Sequence, residues 1–232
     1  MKIPLVLANW KSFKNPEEAK TWLENISLLS RLEPINYQES IILCVPFIDL
    51  PVLKDLLGKK TPELDFVLGA QNISPDQDKP TTGETTAEMV KDFISYVIIG
   101  HSERRSKLGE TTEMVNQKIK ICRQFGLKTI VCVSNTKELE PISKAFPSYN
   151  GLFLYEPLSA IGSGQTESPE KANIIAGEIK EKFSSAKILY GGSVNDANVK
   201  EIVSQEFIDG VAVGGASLEV SSFWRILKNV SK

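Results

Sequence analysis

The chain lacks most of the residues that metal centres, disulfides and membrane spans require. Its single histidine, His101, excludes a catalytic metal held by several histidines. The three cysteines, Cys44, Cys122 and Cys132, are odd in number, show no CxxC spacing and lie in apolar surroundings, which predicts buried thiols. No apolar run approaches the roughly 18 residues of a spanning helix, and the run at residues 3–8 is shorter than the roughly 7–15 residues of a signal-peptide core. We therefore expect a cytoplasmic protein.

An excess of charge of one sign is also absent. The 27 basic and 29 acidic residues leave a formal net charge of −2, whereas nucleic-acid binding usually comes with a basic excess. The 232 residues are 41% hydrophobic and 24% charged, which is the composition of a globular protein with a large core. This length allows two small domains or one α/β domain.

Eight short apolar runs alternate with amphipathic stretches along the whole chain. They lie at residues 3–8, 40–45, 65–70, 96–99, 128–133, 151–155, 187–190 and 208–213. Most are continuously hydrophobic, which indicates parallel strands covered on both faces. Between them lie helix signals such as Asn15-Pro16 and Ser168-Pro169, in which an N-cap residue precedes a first-turn proline.

The number and spacing of these runs predict one fold. Dividing 232 residues by eight units gives 29 residues per unit, close to the length of a βαβ repeat. No linker interrupts the series, so we predict a single-domain (β/α)8 barrel over residues 1–232. The alternative is an open doubly wound sheet, and the absence of a Rossmann glycine fingerprint and of a P-loop counts against it.

Polar or glycine-rich clusters follow six of the predicted strands. They are Asn9-Trp10-Lys11, Gln71-Asn72, Gly100-His101-Ser102-Glu103-Arg104-Arg105, Glu156-Pro157, Gly191-Gly192-Ser193 and Gly214-Gly215. Each has a structural explanation on its own: Lys11 as a solvated charge, for example, or Glu103 to Arg105 as ion pairs on a helix surface. A barrel, however, collects its active site at the C-terminal ends of its strands. Six clusters on one rim therefore indicate an active site.

The residue types in these clusters point to a phosphorylated substrate and proton transfer. Glycines after the seventh and eighth strands let backbone N–H groups approach an anion, and barrels often bind phosphate there. Glu156, at the end of an apolar strand, is a candidate general base, and His101 could polarise a substrate oxygen. Lys11 could offset negative charge on that oxygen. This set suits proton abstraction beside a carbonyl without a metal or an organic cofactor.

A further glycine run lies in the long loop after Glu156. The segment Ala160-Ile161-Gly162-Ser163-Gly164, in which all but Ile161 are small, stands between Pro157 and Pro169. This composition predicts a hinged lid that closes over the site.

The ordered combination of these motifs closely resembles the triosephosphate isomerase family over nearly the whole chain. The matching segments include Asn9-Trp10-Lys11, Gly100 to Arg105, Tyr155-Glu156-Pro157, Ala160 to Gly164, Tyr190 to Val194 and Val213 to Leu218. The resemblance implies interconversion of dihydroxyacetone phosphate and D-glyceraldehyde 3-phosphate through an enediol(ate), a reaction of glycolysis and gluconeogenesis.

The resemblance also implies roles for individual residues. Glu156 moves the proton and His101 acts as a neutral electrophile, while Asn9 and Lys11 flank the substrate oxygens. Phosphate is bound by a second set, which consists of Gly162, Ser193, Gly214 and Gly215. The closed lid is held by Tyr190 and Ser193.

The family is usually a homodimer, which implies that the loop from Gln71 to Thr86 reaches the active site of a second copy. The sequence departs from the family pattern on the lid at Ser159 and Gln165, and after the fifth strand at Ser134-Asn135. We expect these departures to affect lid motion and dimer affinity rather than the reaction.

Two alternative functions fit the same glycine clusters. A noncatalytic phosphosugar-binding barrel would be expected to have lost Lys11, His101 or Glu156, and all three are present. Another phosphate-binding barrel enzyme, of amino-acid or cofactor biosynthesis, would not require Glu156-Pro157 together with His101.

Overall fold

All eight apolar runs form parallel β-strands in the computed structural model, which describes residues 3–59, 63–77, 81–157 and 167–231. The strands are β1 (Leu5–Asn9), β2 (Ile41–Val45), β3 (Phe66–Ala70), β4 (Tyr96–Ile99), β5 (Lys128–Val133), β6 (Leu152–Tyr155), β7 (Lys187–Tyr190) and β8 (Gly210–Val213). Each strand pairs with the next, and β8 pairs with β1 to close the sheet. The predicted (β/α)8 barrel is confirmed.

Helices follow the strands and cover the outside of the barrel. Within the described residues they are α1 (Pro16–Leu32), α2 (Leu50–Lys59), α3 (Ala87–Val90), α4 (Ser102–Leu108), α5 (Thr112–Gln124), α6 (Leu139–Ala145), α7 (Pro169–Lys182), α8 (Val199–Val203) and α9 (Val220–Val230). The predicted caps hold: Asn15 accepts hydrogen bonds from two N–H groups of α1, and Ser168 caps α7. None of the helices in this part of the chain has both the length and the apolar character of a membrane span.

Closure of the barrel depends on close backbone contact between its first and last strands. Gly210 lies opposite Leu5 in the β1–β8 register, and a Cβ at Gly210 would overlap the carbonyl oxygen of Leu5. Glycine is therefore required at the start of β8.

Strand periodicity separates the residues inside the barrel from those that face the helices. Leu5 and Leu7 of β1, and Leu152 and Leu154 of β6, belong to the interior cluster. Because side chains alternate along a strand, the same face continues to the ends of β1 and β6 and includes Asn9 and Glu156. The intervening Tyr155 belongs instead to the core between barrel and helices. The pleat thus directs two of the predicted site residues into the mouth of the barrel.

The structure differs from the sequence expectations mainly at the ends of elements. β1 extends to Asn9 because Asn9 still pairs with Cys44 in the ladder. The sequence also predicts a helix that starts at Ser193 or Asn195 and contains Val199 and Ile202, whereas the regular helix α8 begins at Val199. Asn195 nevertheless caps the turn that leads into α8, because its side chain accepts the Ala197 and Asn198 N–H groups and its carbonyl accepts the Val199 N–H, the pattern that Asn15 shows at the start of α1.

Candidate active site

A cavity of about 310 Å³ opens at the C-terminal ends of the strands. Its lining includes seven of the residues that the sequence singled out, namely Asn9, Lys11, His101, Glu156, Ser193, Gly214 and Gly215. These residues come from β1 and from the segments that follow β1, β4, β6, β7 and β8. The fold therefore gathers groups that are more than 200 residues apart in the chain.

Lys11 is held in position by contacts at both its backbone and its side chain. Its backbone has a φ of 51°, a left-handed conformation that lysine rarely adopts. Two hydrogen bonds stabilise this turn: the Lys11 N–H donates to Asn9 Oδ1 at 3.1 Å, and Gln71 Nε2 donates to the Lys11 carbonyl at 2.7 Å. The ammonium lies 2.8 Å from Glu103 Oε1.

Glu103 supplies the counter-charge for Lys11. Burial alone would raise the pKa of Glu103, but the hydrogen bond from Lys11 and its positive charge outweigh burial and lower that pKa. The ion pair orients the ammonium towards the cavity, while its partner carboxylate stays ionised. The sequence alone is compatible with a surface ion pair for Glu103, whereas the structure places its carboxylate against Lys11, a residue of the site.

His101 is the N-cap of α4, and its hydrogen bonds define its protonation state. Nδ1 accepts a hydrogen bond from the Glu103 backbone N–H at 3.2 Å, so Nδ1 carries no proton. The ring is therefore neutral with its proton on Nε2, the nitrogen that lies 3.0 Å from Glu156 Oε1. A neutral imidazole with an N–H directed into the cavity can donate a hydrogen bond to a substrate oxygen.

Glu156 is buried, and both of its carboxylate oxygens contact the segment that carries His101. Oε1 lies 3.0 Å from His101 Nε2, and Oε2 accepts a hydrogen bond from the Ser102 backbone N–H at 3.2 Å. Beneath it, burial and the neighbouring Glu156 charge raise the pKa of Cys132 and keep that thiol protonated. Glu156 is only 4% exposed, and it lines the cavity.

The two glycines after β8 leave room beside Lys11. A Cβ on Gly214 would have only Lys11 Cε in contact, at 4.0 Å, and a Cβ on Gly215 would meet no atom within 4 Å. Gly191 has a packing role instead, because a Cβ there would lie 2.6 Å from Leu154 Cδ1. Ser193 lines the same part of the cavity.

The predicted lid falls almost entirely outside the described residues. This applies to Ala160, Ile161, Gly162, Ser163 and Gly164, and to the departures at Ser159 and Gln165. Pro157 is described and buried. The proposed latch, Tyr190, does not line the cavity; its hydroxyl accepts the Glu167 backbone N–H at 3.2 Å.

A buried ion-pair network, which the sequence does not predict, holds the segment that carries His101. Glu110 Oε2 lies 2.6 Å from Arg104 Nε and 3.0 Å from Lys118 Nζ, and Oε1 accepts the Gly100 N–H at 3.0 Å. Lys118 Nζ also donates to Asn72 Oδ1 at 2.7 Å. Burial lowers the pKa of Lys118, whereas Lys118 and Arg104 together outweigh burial at Glu110 and lower its pKa.

This network joins the ends of β3 and β4 to α4 and α5. The two buried charges could not have been paired from the sequence, because Glu110 and Lys118 show neither a motif nor the i,i+4 spacing of a helical ion pair. The described residues contain no group of three or more His, Cys, Asp or Glu side chains placed to hold a metal ion.

Comparisons with known proteins agree on one family. A family model described as triosephosphate isomerase matches residues 4–230. A triosephosphate isomerase of Trichodesmium erythraeum is 39% identical, with 98% of this chain and 99% of the relative aligned. Those of Dictyoglomus thermophilum and of a Synechococcus strain are 38% and 37% identical, and each alignment covers at least 97% of both chains.

Proposed function

The chain belongs to the triosephosphate isomerase family, and we propose that its cavity interconverts dihydroxyacetone phosphate and D-glyceraldehyde 3-phosphate. Membership of this family supports an isomerase over a noncatalytic phosphosugar-binding barrel. The observation that carries the proposal is the direct contact, at 3.0 Å, between the protonated nitrogen of a neutral His101 and the carboxylate of Glu156. A hydrogen-bond donor and a base thus face the same cavity, as an aldose–ketose isomerisation requires.

Substrate entry replaces the contact between His101 and Glu156. The substrate carbonyl oxygen takes the hydrogen bond from His101 Nε2–H, and the released Glu156 oxygen accepts the proton from the adjacent carbon. An enediol(ate) forms. The proton on the second oxygen passes to the former carbonyl oxygen by way of His101 Nε2, the second oxygen becomes the new carbonyl, and Glu156 returns its proton to the former carbonyl carbon. Lys11 offsets the negative charge on the oxygens, and Asn9, which shares the cavity, contacts the same oxygens.

The phosphate of the substrate binds at the glycine side of the cavity. The exposed backbone of Gly214 and Gly215 offers N–H groups there, next to Ser193. Gly162 and its neighbours on the lid, which lie outside the described residues, complete this site. Tyr190 and Ser193 hold the lid when it closes.

A coupled assay with D-glyceraldehyde 3-phosphate tests the proposed reaction. We expect turnover by the folded chain with no added metal or organic cofactor. Binding of a phosphorylated enediolate mimic without any turnover would favour a noncatalytic barrel. A panel of other phosphorylated substrates distinguishes a biosynthetic barrel enzyme, since that enzyme would turn over a different compound.

Gly214→Ala tests the phosphate assignment. The added methyl group enters the space beside Lys11 and hinders the approach of the phosphate to the backbone. Since a hydrogen bond to a charged group contributes about 1.5–3 kcal/mol, we expect KM to rise about tenfold or more, with a smaller change in kcat.

Gly58→Ala is the matched control for this measurement. Gly58 lies in α2, is exposed, and a Cβ there meets no atom within 4 Å. Its KM should equal that of the unmodified chain. An unchanged KM in Gly214→Ala would remove Gly214 from the phosphate site.

We also propose that the chain forms a homodimer through the loop from Gln71 to Thr86, of which residues 78–80 lie outside the described residues. A second cavity of about 1030 Å³ next to the active-site rim supports this arrangement. Its lining includes residues of the Gln71–Thr86 loop and the apolar side chains of Phe13, Leu108 and Met114; Phe13 and Leu108 are 54% and 65% exposed. Such an apolar surface suits contact with a second copy.

Leu108→Glu tests the dimer. We expect the unmodified chain to have a concentration-dependent mass near twice 25.7 kDa, and Leu108→Glu to shift it towards the monomer. Ile174→Glu is the control, because Ile174 is similarly exposed, at 61%, but lies on α7 away from this cavity. A monomer at every concentration would contradict the proposal.

A cytoplasmic location is part of the same proposal. The three cysteines are free and buried, which suits a reducing compartment. Cell fractionation with an antibody to the chain tests it.

A further inference from the structure

A buried carboxylate outside the cavity lies directly behind the strand that carries the catalytic base. Glu167 stands two residues before α7, and its side chain is only 6% exposed. We infer that Glu167 is a positioning residue for Glu156, acting through Tyr155; this inference rests on the proposed function of Glu156 as the base.

The described contacts of Glu167 are with the last residues of β6 and β7 and with Lys171 of α7. Oε2 accepts the Tyr155 hydroxyl at 2.8 Å, and Oε1 lies 2.6 Å from Lys171 Nζ. The backbone N–H donates to the Tyr190 hydroxyl at 3.2 Å. Glu167 therefore connects the start of α7 to the last residue of both β6 and β7.

The position of Tyr155 explains why this contact matters for catalysis. Tyr155 immediately precedes Glu156, and because side chains alternate along a strand, the two point to opposite sides of the barrel wall. The backbone here is already held within the sheet, since the Gly191 N–H donates to the Tyr155 carbonyl at 2.8 Å. Glu167 restrains the outer end of Tyr155, and with it the backbone from which Glu156 extends into the cavity.

The chemistry of the contact favours a carboxylate. Tyr155 is 5% exposed, and burial followed by the hydrogen bond to Glu167 raises the pKa of its hydroxyl, which keeps it a donor. The contact with Lys171 matters less, because the Lys171 side chain is 67% exposed and exposed ion pairs contribute little. The hydrogen bond between Tyr155 and Glu167 is thus the contact that can hold the backbone of Tyr155, and with it the side chain of Glu156, in place.

Kinetic analysis of Glu167→Ala and Tyr155→Phe tests the inference. Because a small misplacement of a catalytic group can reduce the rate strongly, we expect each variant to lower kcat by about 10- to 100-fold with little change in KM. The double variant should be no worse than the more impaired single variant, since both changes remove the same hydrogen bond. Glu167→Gln retains an acceptor oxygen for Tyr155 and should restore most of the kcat.

Lys171→Ala is the matched control, because it removes the exposed partner of Glu167 and leaves the tyrosine contact intact; its kcat should equal that of the unmodified chain. A normal kcat in Glu167→Ala, a change confined to KM, or losses that multiply in the double variant would each overturn the positioning role. These results are distinct from failure of the proposed function, in which the unmodified chain itself shows no turnover and both conclusions fall.

Discussion

Replacing Glu156 by glutamine is expected to reduce kcat by about 10²- to 10⁴-fold, the range typical of a lost general acid–base group. Glutamine keeps the size of the side chain and can still accept the Ser102 N–H, but its amide has no basic oxygen to receive a carbon-bound proton. It also places an NH₂ group against His101 Nε2–H, which is itself a donor. Steady-state kinetics with D-glyceraldehyde 3-phosphate measure the effect.

Two further variants make this result specific to the base. Glu156→Asp keeps the carboxylate but withdraws it by about one C–C bond, 1.5 Å, so we expect an intermediate loss. Glu170→Gln removes an exposed acidic residue from the first turn of α7 and should leave kcat unchanged. If Glu156→Gln binds a phosphorylated enediolate mimic and still turns over at the normal rate, Glu156 is not the base.

The second large effect concerns stability rather than chemistry. Glu110→Met leaves the Lys118 ammonium buried without its main counter-charge, because the remaining described partner of Lys118 is the Asn72 amide oxygen. Breaking a buried pair in this way is expected to lower the free energy of unfolding by about 3–5 kcal/mol. Lys118→Met should cost less, because Glu110 retains Arg104 and the Gly100 N–H.

Urea denaturation at one fixed protein concentration measures both variants, since unfolding of an associating protein depends on concentration. Asp55→Ala is the control: its ion pair with Lys59 is exposed on both sides, and its loss should change stability by about 0.3–0.5 kcal/mol. A greater loss in Lys118→Met than in Glu110→Met would show that Glu110 is the less compensated charge. Stability equal to the unmodified chain in Glu110→Met would contradict the prediction.

The sequence was informative where hydrophobic pattern and strand direction suffice. Tyr96–Ile99, Lys128–Val133 and Lys187–Tyr190 form strands with the bounds that their apolar runs predict. The apolar run at residues 208–213 is longer than β8, which begins only at Gly210. Gly210 is the residue that pairs with Leu5, the first residue of β1. Hydrophobicity marks which segments are buried, whereas ladder pairing fixes where each strand begins and ends.

Long-range side-chain contacts were beyond the sequence. Glu103, Arg104 and Arg105 are consecutive, yet they contact Lys11, Glu110 and the Gly100 carbonyl respectively. A helix surface allows each of these side chains several directions, and only the packed neighbours choose between them. The same holds for Glu167, which no motif distinguishes from the other acidic residues near α7.

The order of residue types along the chain is enough to predict the barrel and the residues at its rim. Parallel strands must all present their C-terminal ends on one side, so polar residues after those strands meet there whatever the details of packing. His101, the single histidine, is a candidate site residue because it follows one of these strands. The hydrogen bonding of His101 depends instead on packing, which brings its Nδ1 to the Glu103 N–H and its other nitrogen to Glu156. Hydrogen-bond direction depends on atomic positions, which a pattern of residue types does not contain.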